Sequence, residues 1–365
     1  MMEPSGKAVS MTDLSVLHGC RVLVTGSTGF KGSWLCSWLL HLGAEVSGFA
    51  LPPAPDAPLF EQLRLGERIR QSYGDIRDLA TVQAAFVQAK PDAVIHLAAQ
   101  ALVFRSYADP KTTFDTNVGG GVNLLEAVRT ARPRALVFIT SDKCYRNKEW
   151  VWGYRENDEL GGVDPYSASK AAAELVFSAY RESFLDTIPR LIAATARAGN
   201  VIGGGDLSDN RIVPDCIRAL RRHQRVILRR PDSTRPWQHV LEPLSGYLAL
   251  AARQVAGDGT AAGAWNFGPD AENVRTVEAL ARGLVDRWGG GEVVVERDSS
   301  TLHEARLLML NNDKAKTGLG WRPRWPFERT VEHTVAWYRR IDAGEDPVAV
   351  TAAQIAAYQA DGQKI

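Results

Sequence analysis

Two short clusters carry residue types able to move protons. Tyr166-Ser167-Ala168-Ser169-Lys170 spaces a phenol and an ammonium four residues apart, and on a helix that offset puts both on one face. A cation near a tyrosine stabilises its phenolate and lowers its pKa, giving a base usable near neutral pH. The second cluster, Ser141-Asp142-Lys143, follows the apolar run Val137-Phe138-Ile139-Thr140. A hydroxyl, a carboxylate and an amine at the end of a strand are candidate acid and base groups, although the same triplet also suits an ordinary turn.

A third cluster suits a bound anion. The run Val22-Leu23-Val24-Thr25 leads directly into Gly26-Ser27-Thr28-Gly29-Phe30-Lys31-Gly32. Glycines at this spacing let backbone approach a pyrophosphate, and the helix that follows offers free N–H groups and a partial positive charge. Lys31 precedes the last glycine, so a P-loop does not fit. A tight strand-helix turn with no ligand remains the plain alternative. The acidic residue expected about twenty positions later to hold an adenosine ribose is missing, since the next strand ends Val46-Ser47-Gly48-Phe49-Ala50. The residues therefore leave NAD and NADP open. Asp75 and Ile76, in Gly74-Asp75-Ile76-Arg77-Asp78, offer a carboxylate at a strand end for an adenine amino group. Leu97, Ala98, Ala99 and Gln100 supply small residues where a dinucleotide needs close approach, or where a helix packs tightly.

These groups need a scaffold. Short β-branched runs at 21–25, 45–50, 93–97, 135–140 and 191–196 alternate with helical patterns at 32–42, 78–89, 116–130 and 166–184. The pattern predicts an α/β fold, a Rossmann-type doubly wound parallel sheet. After residue 197 the alternation fades among glycines and prolines, predicting a smaller, mixed α/β C-terminal substrate lobe, with a strand-like segment at 292–296 and a helix at 327–343. The expected divisions are a flexible leader at 1–18, a dinucleotide-binding unit at 19–196, a lobe at 197–345 from which the chain can cross back, and a tail at 346–365.

Charge is nearly balanced at +1 over 365 residues, with no basic stripe for nucleic acid or a membrane surface. The four cysteines, Cys20, Cys36, Cys144 and Cys216, lack the spacing of a disulfide framework or a zinc site. No secretory signal or long apolar span is evident, so a cytoplasmic protein without metal, membrane or nucleic-acid partner is expected.

The glycine loop, Gly74-Asp75, His96 to Gln100, Asn117 in Thr116-Asn117-Val118, and the Tyr166/Lys170 pair together resemble the extended short-chain dehydrogenase/reductases, over about residues 21–337. Within that family, Ser141 to Tyr145, Glu149 to Glu156, Gly29 to Trp34 and Arg235 to Pro243 are similar to the 4,6-dehydratases that act on CDP-glucose. In the related dTDP-glucose enzymes a glutamate stands where this chain has Lys143. One departure is Phe104, where a basic residue is expected, although Arg105 follows.

The resemblance implies bound NAD and a nucleotide-sugar substrate that is oxidised, dehydrated and reduced in one site. Tyr166 with Lys170 would act as base at the sugar C4 hydroxyl, with Ser141 on the oxyanion, Asp142 as acid for the C6 hydroxyl, and Lys143 as C5 base or its positioner. It implies cofactor contacts at Gly26, Thr28, Gly29, Phe30, Gly32, Asp75, Ile76, Leu97, Ala98, Ala99, Gln100, Asn117, Tyr166 and Lys170. Substrate contacts are implied at Ser141, Asn200, Arg235, Asn266 and His303, and a homodimer or dimer of dimers through the helices at 116–130 and 166–184. Two other readings stay open: a dehydratase or epimerase for a GDP-, UDP- or dTDP-sugar, and a catalytically silent NAD-binding protein.

Overall fold

Seven short segments, six of them rich in apolar residues, pair side by side in the computed structural model, which describes residues 12–54, 58–208, 211–296 and 307–362. They are β1 (Arg21–Thr25), β2 (Glu45–Ala50), β3 (Arg70–Tyr73), β4 (Ala93–His96), β5 (Ala135–Ile139), β6 (Ile192–Ala198) and β7 (Gly263–Phe267). Their spatial order is β7-β6-β5-β4-β1-β2-β3 and every pairing is parallel. Order reverses between β1 and β4, which is where open α/β sheets hold ligands, beyond the carboxyl ends of the strands.

The side-chain alternation explains the two-sided winding. Leu23, Val94, Leu136 and Phe138 point into a core closed by α2 (Leu79–Ala89), α3 (Gly120–Ala131) and α4 (Pro165–Ser183). Val22, Val24, Ile95 and Val137 point the other way, towards α1 (Phe30–His41) and the helix Leu241–Val255. Strands buried on both faces need continuous apolar runs, and β5 is buried at all five positions.

Predicted and observed strands agree to within two residues. β3 and β7 were not expected: Arg70-Gln71-Ser72-Tyr73 lies at the sheet edge, half-exposed, and its polar residues carry no strand signal. β7 returns the chain from the C-terminal half to extend the sheet beside β6. The single helix expected at 116–130 is instead a π turn, Asp115–Gly119, followed by α3.

The C-terminal half contains α5 (Ile212–Arg221), α6 (Leu241–Val255), α7 (Val277–Trp288), α8 (Phe327–Asp342) and α9 (Pro347–Gly362), with short strand pairs between them. The segment expected around 292–296 pairs as Val293–Val295 with Val226–Leu228. Residues expected to form a tail include α9, whose Val350, Ile355 and Tyr358 are buried. Tyr358 meets Trp38 of α1 edge to face, with ring centroids 5.5 Å apart. Most of the expected leader lies outside the described residues.

Candidate active site

The expected acid, Asp142, lies just past the end of β5. Ser141 caps the turn Asp142–Cys144: its Oγ accepts from Lys143 N at 3.2 Å and donates to Asp142 Oδ1 at 2.9 Å. Asp142 is buried, and burial raises its pKa against the pull of Lys143, the Ser141 hydroxyl, Lys31 and Arg235. A raised carboxyl is what proton donation near neutral pH requires. A Cβ on Gly199 would lie 3.0 Å from Asp142 Oδ2 and 3.7 Å from Pro236. The carboxylate therefore faces the Gly199-Asn200 turn and the Arg235-Pro236 strand.

The expected base, Tyr166 with Lys170, lies on α4. Asp164 caps it by accepting from Ser167 N at 2.9 Å, and Pro165 occupies the first turn, where a missing N–H costs nothing. Tyr166, Lys170 and Glu174 then fall on one face, all buried. Burial pushes Tyr166 up to about 12; the Ser141 hydroxyl and Arg211 pull it down, and Asp142 raises it. A cationic ring beside the phenol would join the lowering set. Lys170 is pushed down to about 8 by burial, opposed by Glu174 and Cys144. Ser141, Asp142 and Tyr166 are thus electrostatically coupled at one place.

The glycine loop fits a dinucleotide on steric grounds. Gly26 has φ +73°, and a Cβ there would stand 2.8 Å from Ala98 N and 2.9 Å from the Leu97 carbonyl carbon. A Cβ on Gly32 would stand 2.0 Å from Gly26 O. Both glycines are needed to bring β1, the end of β4 and the first turn of α1 together, leaving that turn's N–H groups aimed past Gly29. Thr28 anchors the loop by donating to Leu51 O at 3.0 Å. Phe30 is half-buried beside Gly203. Asp75 is held by both Arg77 Nε, at 3.0 Å, and Arg77 Nη2, at 2.6 Å, on a cavity shared with Asp78, Asp115, Gly119 and Asn123. Ile76 packs against Gly120.

Two expected ligands are occupied otherwise. Asn117 accepts from Gln100 N at 2.8 Å and donates to Gln100 O at 3.1 Å and Ser169 Oγ at 2.8 Å. Asn266 accepts from Tyr145 OH at 2.8 Å and donates to Tyr154 O at 2.8 Å and Asn311 O at 3.2 Å. Both N–H groups of each amide are taken up within the protein, so each pins backbone in place and has only the second lone pair of its oxygen left to offer a ligand. The Gln100 side chain is likewise spent on Leu102 and Thr113. Arg235 is buried and donates to Thr234 O at 2.7 Å; Asn200 is half-buried. His303 lies outside the described residues.

Four residues were not singled out from sequence. Arg211 acts on both Tyr166 and Lys31, and it pairs with buried Asp206 at 3.2 Å. Burial pushes Lys31 down to about 8, with Arg211 adding to the effect and Asp142 opposing it. Tyr247, fully buried on α6, feels Tyr166 and Asp142, and its hydroxyl has no hydrogen-bond partner among the described residues. Glu174 holds Arg197. A lone charged residue or phenol in a helical pattern carries no signal of such convergence.

Residues 23–334 match the family model described as GDP-mannose 4,6 dehydratase. A CDP-glucose 4,6-dehydratase of Salmonella typhimurium is 46% identical over 354 residues, covering 95% of this chain and 98% of that protein. A dTDP-glucose 4,6-dehydratase of Streptomyces griseus is 29% identical, covering 90% and 96%. Among solved structures, a dTDP-glucose 4,6-dehydratase from Streptomyces venezuelae with NAD and TYD bound superposes with a TM-score of 0.75 at 26% identity, covering 90% of this chain and 99% of that one. A buried hydroxyl, carboxyl and phenol beside a glycine cradle, together with this likeness over nearly the whole length, place the chain in the GDP-mannose 4,6 dehydratase family.

Proposed function

We propose that the protein is an NAD-dependent CDP-glucose 4,6-dehydratase that yields CDP-4-keto-6-deoxyglucose. The observation that carries this reading is the coupling of Ser141, Asp142 and Tyr166 at the carboxyl end of β5. The near full-length likeness to the Salmonella enzyme selects CDP-glucose among nucleotide sugars.

The glycine loop with Gly26, Gly29 and Gly32, and the Leu97-Ala98 strand end, would hold NAD, which when bound would supply a hydride acceptor for oxidation at the sugar C4 and a hydride donor for reduction at C6. Tyr166 removes the proton of the C4 hydroxyl, and Ser141 hydrogen-bonds the oxygen as charge develops on it. The resulting ketone acidifies the C5–H. Lys143 serves at C5, as base or as positioning cation, while Asp142 protonates the departing C6 hydroxyl. Reprotonation at C5 completes a 4-keto-6-deoxy sugar with no net oxidation. Arg235 and Asn200, facing Asp142, hold the diphosphate end.

The reading assigns NAD to the sheet unit at 19–196 and the nucleotide to the lobe at 197–345. It also assigns a cytoplasmic location and, with Leu175 of α4 and nearby Phe104, Tyr107 and Phe114 exposed, a homodimer or dimer of dimers formed through α3 and α4. Incubating the purified protein with CDP-glucose, and separately with the GDP-, UDP- and dTDP-sugars, tests the substrate. A 4-keto product from CDP-glucose is expected. Product from dTDP-glucose alone overturns the CDP assignment, and no product from any sugar leaves a silent dinucleotide-binding protein.

A further inference from the structure

Behind the base lies a buried ion pair that the proposed reaction does not use. Glu174 stands four residues beyond Lys170 and eight beyond Tyr166, on the same buried face of α4. Arg197, on β6, reaches it with two parallel bonds, Nε to Oε1 at 2.9 Å and Nη2 to Oε2 at 2.7 Å. Thr195 Oγ1 donates to Oε2 at 2.9 Å, and Thr140 Oγ1 donates to Oε1. Thr140 is the residue immediately before Ser141. The carboxylate thus ties together the helix carrying the base, the strand end carrying Ser141 and Asp142, and β6.

The remaining arm of Arg197 extends the connection. Its Nη1 donates to Tyr145 OH at 2.7 Å and to Glu156 O at 3.0 Å, and Tyr145 in turn donates to Asn266 of β7. Buried charges arranged in this way are costly to desolvate, and an isolated pair gives little net stability. Two well-packed apolar side chains would hold three elements together as well. What apolar side chains cannot supply is a fixed charge, with its negative end towards Lys170 and its positive end away.

We propose that Glu174, held by Arg197, is a positioning residue for the Tyr166–Lys170 base: it sets the charge state of Lys170 from behind and locks α4 to the strand end bearing Ser141 and Asp142. Lys170 is sensitive to such a neighbour because several groups bear on it. Glu174 lies on its own helix and Cys144 follows β5, while Lys170 itself acts on His96 at the end of β4 and on Lys31 of α1. Among these Glu174 and Cys144 oppose the effect of burial, Glu174 the more strongly. Removing the carboxylate alone would leave Arg197 as an unpaired buried cation behind a second cation.

The inference rests on Tyr166 and Lys170 being the base of the proposed reaction, so two readouts are taken. Turnover of CDP-glucose by the unaltered protein tests the reaction; its absence removes the proposed function. Titration of Lys170, followed by the resonance of isotope-labelled lysine and assigned with Lys170→Met, needs no substrate and tests the pair independently. Glu174→Gln is expected to lower the Lys170 pKa by at least about one unit and to reduce kcat at least about tenfold with KM little changed. The double variant E174Q/R197M also lacks the carboxylate and is expected to keep Lys170 below its value in the unaltered protein, because Glu174 is the stronger of the two groups that oppose burial at Lys170. Glu174→Asp keeps the charge and should keep the titration. If Glu174→Gln does not fold, the other two decide. A Lys170 titration that matches the unaltered protein in every folded variant that lacks the carboxylate overturns the proposal, whatever happens to turnover.

Discussion

The Asn117 side chain donates to Ser169 Oγ at 2.8 Å while its other N–H and its oxygen close on the backbone of Gln100. One amide therefore fastens the loop after β4 to the helix turn lying between Tyr166 and Lys170. The π turn Asp115–Gly119 carries this residue inward, and such turns often mark functional sites. Asn117→Ala should leave the Gln100 N–H and C=O without partners and cost about 1–3 kcal/mol of stability. Because the base loses its brace, kcat should fall at least about tenfold while the KM for nucleotide sugar changes little. Thermal unfolding and steady-state kinetics read both; unchanged kcat in a destabilised variant would show that the brace does not reach the chemistry.

Gly29 and Gly32 separate fold from cradle. A Cβ on Gly32 would meet Gly26 O at 2.0 Å, so Gly32→Ala should destabilise the fold as well as abolish dinucleotide binding. A Cβ on Gly29 comes no closer than 3.4 Å to any protein atom. Gly29→Ala is expected to melt like the unaltered protein yet bind NAD at least about tenfold more weakly, because only the ligand approaches that face. Titrating NAD fluorometrically beside a melting curve checks it. Full NAD affinity in the alanine variant would mean the pyrophosphate passes elsewhere.

How far the molecule was legible from sequence follows from where its signals lie. The runs at β1, β2 and β5 are apolar because both faces of the sheet are covered, so burial and pattern coincide. β3 is half-exposed at the edge and reads as loop. The glycine loop and the Tyr166/Lys170 spacing are local motifs and survive translation into structure. Asn117 and Asn266 are not: an asparagine's partners depend on the backbone it faces, and both turn out to be consumed by backbone and hydroxyl groups far away in sequence. Glu174 was invisible for a similar reason. Its partner Arg197 lies 23 residues away on another element, and a glutamate on a helix reads as a solvated charge.

If Asp142 is the acid for the C6 hydroxyl, its removal should separate oxidation from water loss. Its carboxyl is pushed upward by burial and accepts from Ser141 Oγ at 2.9 Å. Asp142→Asn keeps that acceptor but has no acidic proton to give. The variant should still reduce NAD to NADH on adding CDP-glucose in a single turnover, then stall, with overall kcat reduced at least about a hundredfold. Rapid-mixing absorbance of the reduced cofactor beside a product assay reads the two phases. Normal product formation would remove the carboxyl from the elimination.

Glu242 gives the fold a pH dependence separate from catalysis. It lies buried on α6 and accepts from Trp325 N at 2.7 Å, Arg324 N at 3.0 Å and Tyr358 OH at 2.6 Å, fastening the chain before α8 and the helix α9 to the core. Burial raises its pKa from the ordinary 4.5 to about 7, outweighing those three bonds. A carboxyl raised on folding favours the folded state while it is protonated. Its contribution is therefore complete below about pH 4.5 and is lost as pH rises through about 7, an effect on the order of 3 kcal/mol. Glu242→Gln keeps an acceptor for the two amides and never ionises. Melting temperatures of both proteins, compared from about pH 5 to about pH 8.5, should diverge in favour of the glutamine variant as pH increases. A difference that stays constant across that range would mean either that Glu242 is ionised throughout and its three hydrogen bonds outweigh burial, or that it is neutral throughout and burial raises it further still.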